Sequence, residues 1–114
     1  MSQDNSKAND RIEVRKEYYT SGALYSETPY ENGKRHGIRR IYYKSGALYW
    51  EVPFVNGKEH GTEKEYYMSG ALWHETPFVN GNVHGIKKEY EKPTSSIVRL
   101  TLYDKDRRVS SVKI

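Results

Sequence analysis

The chain has 114 residues, one domain's worth, with a net charge of +4 and no cysteine. The last point excludes a disulfide staple, a thiolate metal site and a cysteine nucleophile, and it suits a reducing, cytoplasmic location. Ile, Leu, Val and Phe supply only 21 residues, but 11 Tyr and 2 Trp add buriable area, so the composition reads as a folded chain with a thin aromatic core.

Residues 1–11 are polar and patternless, which predicts a loose arm rather than a secretory signal. No apolar run approaches the roughly 20 residues of a membrane-spanning helix. From Ile12 onward, apolar and aromatic residues alternate with the two-residue period of a strand. A unit then repeats every 24 residues. Tyr42-Tyr43, Ser45-Gly46-Ala47-Leu48, Glu51, Pro53, Asn56-Gly57 and His60-Gly61 recur as Tyr18-Tyr19, Ser21-Gly22-Ala23-Leu24, Glu27, Pro29, Asn32-Gly33 and His36-Gly37. They recur again as Tyr66-Tyr67, Ser69-Gly70-Ala71-Leu72, Glu75, Pro77, Asn80-Gly81 and His84-Gly85. A gapless short period decides the architecture. Each unit reads as a shorter strand, a Ser-Gly turn, a longer strand and an Asn-Gly turn. The prolines fall near the ends of the long strands, where a missing N–H is tolerated. No helical stripe with a capped start appears.

The units span about 12–35, 36–59 and 60–83, with a degenerate capping unit over 84–114. In that last unit Thr94-Ser95-Ser96-Ile97 stands where the Ser-Gly turn stood. One residue is inserted before Tyr103, and Asp104-Lys105-Asp106-Arg107 replaces the Asn-Gly turn. The excess positive charge is also there: Lys92, Arg99, Lys105, Arg107, Arg108 and Lys113 face only Asp104 and Asp106. The expected architecture is an all-β antiparallel meander of stacked β-hairpins in one elongated, twisted sheet.

The turn length decides which residues share a face. Asn-Gly suggests a two-residue type I′ loop. In the simplest register that loop puts Tyr25 beside Arg40 while the next turn puts Arg40 beside Trp50, and one side chain cannot point both ways. Three-residue, Gly-centred loops at both turns are therefore expected. Even-numbered residues then form an apolar face with Val14, Tyr18, Leu24, Tyr30, Ile38, Tyr42, Leu48, Trp50, Val52, Phe54, Tyr66, Leu72, Phe78, Ile86 and Tyr90. Odd-numbered residues form a charged face crossed by Tyr19, Tyr25, Tyr43, Tyr49, Tyr67 and Trp73. A bare apolar face demands that the sheet coil, dimerise or cover itself with a partner.

The pattern Tyr-Tyr-x-Ser-Gly-x-Leu, then Glu, then Asn-Gly-Lys-x-x-Gly, resembles the variant MORN repeat, and within it the bacterial YwqK-type antitoxins. The resemblance covers residues 12 to about 91 strongly. It implies a binding surface on stacked hairpins and an immunity protein or antitoxin that neutralises a cognate protein toxin. Other MORN proteins imply a scaffold or an anionic membrane surface as the alternative.

His36, His60 and His84 recur one unit apart, roughly 9–10 Å at two strand spacings, too far to share one zinc ion held at about 2.0–2.1 Å. They read as turn residues packing beside the strands. His74 is expected on the even face near Lys64. Glu27, Glu51 and Glu75 form a row expected to be matched across strands by Arg39, Glu63 and Lys87, a solvated surface rather than a catalytic pair. No phosphate loop, serine elbow or zinc motif is present, so neither catalysis nor a cofactor is expected. The charge balance of the repeats disfavours nucleic acid. The aromatic rows offer stiff contact area, and Trp50 and Trp73 break an otherwise uniform unit. The expected partner-binding set is Tyr25, Tyr43, Tyr49, Trp50, Glu51, Tyr67, Trp73, His74 and Glu75.

Overall fold

The computed structural model describes residues 11–91 and 96–114, and every regular element in them is a β-strand. The expected arm lies outside the described residues but for Arg11, as do Lys92 of the basic cluster and Thr94 and Ser95 of the eroded turn. The first unit gives β1 (Ile12–Tyr18), β2 (Leu24–Glu31) and the short β3 (Lys34–Arg35). The second gives β4 (Gly37–Tyr42), β5 (Leu48–Val55) and β6 (Lys58–Glu59). The third gives β7 (Gly61–Tyr66), β8 (Leu72–Val79) and β9 (Asn82–Val83). The last gives β10 (Gly85–Glu91), β11 (Ser96–Asp104) and β12 (Arg107–Lys113). They form one antiparallel sheet in the order β1-β2-β4-β5-β7-β8-β10-β11-β12, with β3, β6 and β9 paired to β2, β5 and β8. This is the expected meander.

The Ser-Gly turns have the expected three-residue loops. Tyr19 N–H donates to Ala23 O at 2.8 Å, and Gly22, at φ 95°, donates to Tyr19 O. The Asn-Gly turns differ from expectation. Glu31 faces Lys34 directly, so Asn32-Gly33 is a two-residue loop with φ of 54° and 83°. Two successive positive φ values make the type I′ turn, whose twist suits a hairpin. Lys105-Asp106 makes the same loop without glycine, at φ 49° and 70°.

Two irregularities make this register consistent. After each Asn-Gly turn the pairing slips, from Tyr30 opposite Arg35 to Glu27 opposite Arg40. Gly37 sits at the slip with φ 109°, where an added Cβ would come within 3.0 Å of the Pro29 Cγ. After each Ser-Gly turn the long strand holds one extra residue: Tyr42 faces Leu48 and Ile41 faces Trp50, so Tyr49 is a β-bulge. Tyr25, Trp73 and Val98 are bulged in the same way. Arg40 then faces Glu27 on one side and Glu51 on the other, and both neighbours lie on its own face.

The expected split by parity is therefore wrong, because parity swaps twice in each 24-residue unit. One face carries Ser26, Ile41, Trp50, Glu65, His74 and Glu89 in a cross-strand row. The other carries Lys16, Glu27, Arg40, Glu51, Lys64, Glu75 and Lys88. Tyr30, Val52, Phe54 and Phe78 go with the first row by alternation; Val14, Ile38, Tyr42, Tyr66, Ile86 and Tyr90 go with the second.

Among the described residues the seven most buried side chains, Ser26, Thr28, Ile41, Val52, Phe54, Thr76 and Thr101, all lie on the first face. In a single layer only neighbours on the same face can hide a side chain. Burial gathered on one face thus means that the sheet bends toward it, with Val52 wholly covered at the centre. We call it the inner face. The outer face leaves Val14, Ile38, Ile86 and Leu102 exposed.

Candidate functional site

The bulges place the aromatic rows. A bulge turns its side chain toward the same side as the residue that follows, so Tyr25, Tyr49 and Trp73 join Ser26, Trp50 and His74 on the inner face. Each meets the second tyrosine of its unit: Tyr19–Tyr25 at 5.2 Å between ring centroids, Tyr43–Tyr49 at 4.8 Å and Tyr67–Trp73 at 5.2 Å. Those second tyrosines also join units, because Tyr19 Oη donates to the carbonyl of Tyr42, Tyr43 Oη to Tyr66 and Tyr67 Oη to Tyr90. Between the first three units opens a cleft of about 440 Å³, lined by Tyr19, Tyr25, Ile41, Tyr42, Tyr43, Tyr49, Trp50 and Glu65. Tyr49 Oη donates to Glu65 across its floor at 3.1 Å.

Beside the cleft, toward the Asn-Gly end of the strands, the inner face carries opposite charges on either side of β5. On the first-unit side, Arg15 stacks on Tyr30 at 3.9 Å, Arg35 lies over Phe54 at 5.4 Å and Arg39 over Trp50 at 6.0 Å. On the third-unit side stand Glu59, Glu63 and Glu65. Burial, then the charges of Glu59 and Glu65, push the Glu63 carboxyl up to about 7, while a hydrogen bond from Trp50 draws it back down. Burial and the nearby Asp106 also raise Glu59. His74 stands 3.7 Å from Glu65 with its ring against Trp73, and burial, then Lys87, lower its pKa. The inner face thus joins a stiff aromatic cleft to a neighbouring stretch with cations on one side of β5 and carboxylates on the other, which suits recognition of a protein surface.

Of the nine expected partner-binding residues, Tyr25, Tyr43, Tyr49, Trp50, Tyr67, Trp73 and His74 share the inner face. Glu51 and Glu75 do not. They lie on the outer face, where Tyr66 Oη donates to Glu51 at 2.9 Å, Arg40 pairs with it at 3.2 Å, and Tyr90 Oη donates to Glu75. The glutamate row is matched by Lys16, Arg40, Lys64 and Lys88, not by Arg39, Glu63 and Lys87, which are on the inner face. His74 likewise faces Glu65 and Glu89 rather than Lys64.

The recurring histidines have a definite task. Nδ1 of His36 accepts the Asn56 N–H at 3.1 Å, His60 accepts that of Asn80 at 3.2 Å, and His84 that of Lys105 at 3.3 Å. Each ring pins the next unit's two-residue turn. Sequence reasoning did not pick Arg15, Arg35, Glu59, Glu63 or Glu65 as site residues. A signal for one of them was present: the position filled by Arg39, Glu63 and Lys87 changes sign from unit to unit.

Bulged hairpins of fixed length, joined unit to unit by the same tyrosine, histidine and glycine contacts, define a β-hairpin repeat ribbon. The family described as MORN repeat variant matches residues 14–32, 35–56 and 59–80, more than half of the chain, and the chain belongs to that family. MORN repeats serve as protein- or membrane-binding modules. No curated protein and no solved structure matches this chain.

Proposed function

We propose that the inner face docks onto a partner protein, and that the partner is a toxin which this chain neutralises by covering its active surface. The observation behind the reading is that the inner face is where the unit departs from uniformity: Trp50, which lines the cleft, replaces Ser26 and His74, and Trp73 replaces Tyr25 and Tyr49. Both tryptophans stand on the inner face, Trp50 under Arg39 and Trp73 stacked on Tyr67. Aromatic anchors in such settings dominate binding energy, at about 2 kcal/mol or more each.

Co-purification with a toxin domain from the native cell identifies the partner. Alanine at Tyr49, Trp50 or Trp73 should then weaken the complex about thirtyfold or more, with a smaller change in unfolding midpoint. Unchanged affinity in all three would remove the inner face from the interface. A scaffold or membrane-surface role is the second reading, favoured by the exposed Lys105, Arg107, Arg108 and Lys113 around β12. Sedimentation with anionic vesicles, lost when Arg107 and Arg108 are neutralised, would support it.

A further inference from the structure

The outer face carries a charge ladder that follows the strand order. Lys16 faces Glu27, Glu27 faces Arg40, Arg40 faces Glu51, Glu51 faces Lys64, Lys64 faces Glu75, and Glu75 faces Lys88. A tyrosine reinforces each glutamate from the following unit: Tyr42 binds Glu27 at 2.7 Å, Tyr66 binds Glu51 at 2.9 Å, and Tyr90 binds Glu75. Arg40 and Lys64 thus stand between two carboxylates. Lys16 has one on its inner side only. Tyr18, the equivalent of Tyr42, has no hydrogen-bond partner among the described residues and is 59% exposed. Every residue of β1 is exposed, and its outer edge is paired to no strand among the described residues.

We propose that this edge accepts an extended segment of a partner protein as an added strand, with a glutamate or aspartate of that segment seated between Lys16 and Tyr18. The repeat supplies the register. Arg40 and Ile41 pair outward with Glu27 and Ser26, so the segment's acid lies opposite Lys16 and the residue before it lies opposite Glu17. The backbone groups along the edge supply hydrogen bonds, and the carboxylate supplies selectivity.

The far end of the sheet offers no such socket. There Lys88 faces Leu100 and Leu100 faces Val112, so the ladder ends in apolar residues. For the same reason the β12 edge of a second copy brings no carboxylate to Lys16. The partner is therefore a different chain with an acidic, strand-forming segment. This surface is separate from the inner face, and neither reading depends on the other.

The test uses the full chain, isotope-labelled for NMR, and two synthetic peptides. One has the sequence of residues 71–80, the strand the repeat would place at this edge; the other carries E75Q. The first peptide should shift and protect the amides of Arg15 to Tyr18. The E75Q peptide should bind about tenfold more weakly. Tyr18→Phe and Lys16→Gln in the chain should each weaken the first peptide's binding by several-fold and leave the unfolding midpoint unchanged. Equal binding of the two peptides, shifts confined to another surface, or β1 outer-edge amides already protected in the free chain would each overturn the proposal.

Discussion

The Tyr66 hydroxyl donates to Glu51 of the preceding unit at 2.9 Å, and Arg40 meets the other oxygen of that carboxylate at 3.2 Å. One carboxylate thus ties together β4, β5 and β7. Units in a repeat chain are held by such neighbour terms, because each one lacks a core of its own. Tyr66→Phe removes the bond and leaves a half-buried carboxylate with one partner fewer. It should cost about 1 kcal/mol at neutral pH, read by urea unfolding.

The same bond predicts an alkaline limit. Burial, then Glu51, push the Tyr66 phenol up to about 12 from the usual 10, and burial with Glu75 does the same for Tyr90. A raised folded pKa means that the folded chain holds its proton more tightly than the unfolded one. The stabilisation is complete below pH 10 and is lost as pH rises from 10 to 12. Stability should fall across that window, and Tyr66→Phe should flatten the fall. Tyrosinate absorbance followed beside unfolding midpoints would check this, and ionisation of Tyr66 at the ordinary value would refute it.

Gly61 packs where the register slips. Its φ is 120°, and an added Cβ would come within 2.9 Å of the Pro53 Cγ. Gly61→Ala adds left-handed strain to a clash and should cost about 2 kcal/mol or more. Gly57 has φ 88° with only ordinary contact to Lys34. Gly57→Asn, a residue that tolerates this conformation, should cost less than about 1 kcal/mol. Comparable losses at the two positions would mean that the glycine–proline contact does not set the slip.

The architecture was legible in the sequence because the unit repeats without a gap and its alternation and turn residues agree. The facing of side chains was not. It depends on two local events, the slip at His36-Gly37 and the bulge at Tyr49, and neither changes the count of residues between turns. Recurrence of Gly37, Gly61 and Gly85, each one half-strand after an Asn-Gly turn, was the available sign, since a glycine inside a strand often marks a bulge. Without those two events Trp50 and Tyr49 fall on opposite faces. With them both enter one cleft, and Glu51 leaves it.

Glu63 should make stability depend on pH in the opposite sense from a typical paired carboxylate. Its folded pKa of about 7 lies above the usual 4.5, chiefly through burial. Its proton is held in the folded chain, so its contribution is complete below about pH 4.5 and is lost as pH rises through 7. Glu63→Gln removes the buried charge. It should stabilise the chain at pH 8 by an amount on the order of 1 kcal/mol, allowing for partial solvent screening, and change little at pH 4.5. Equal effects at both pH values would place the carboxylate in free solvent.

Trp50 acts on that acid directly. Its indole N–H lowers the Glu63 pKa against the effect of burial, while its ring lies under Arg39. Trp50→Phe keeps an aromatic ring and removes the N–H. Loss of that N–H should raise the Glu63 pKa further above 7, read by carbon NMR titration of the side-chain carboxyl. A fall would show that the indole mainly keeps water away, since a smaller ring would then let solvent restore the charged form. The first result ties Trp50 of the cleft to the charge of a neighbouring acid, so a partner that pulls on Trp50 would also change the protonation of Glu63.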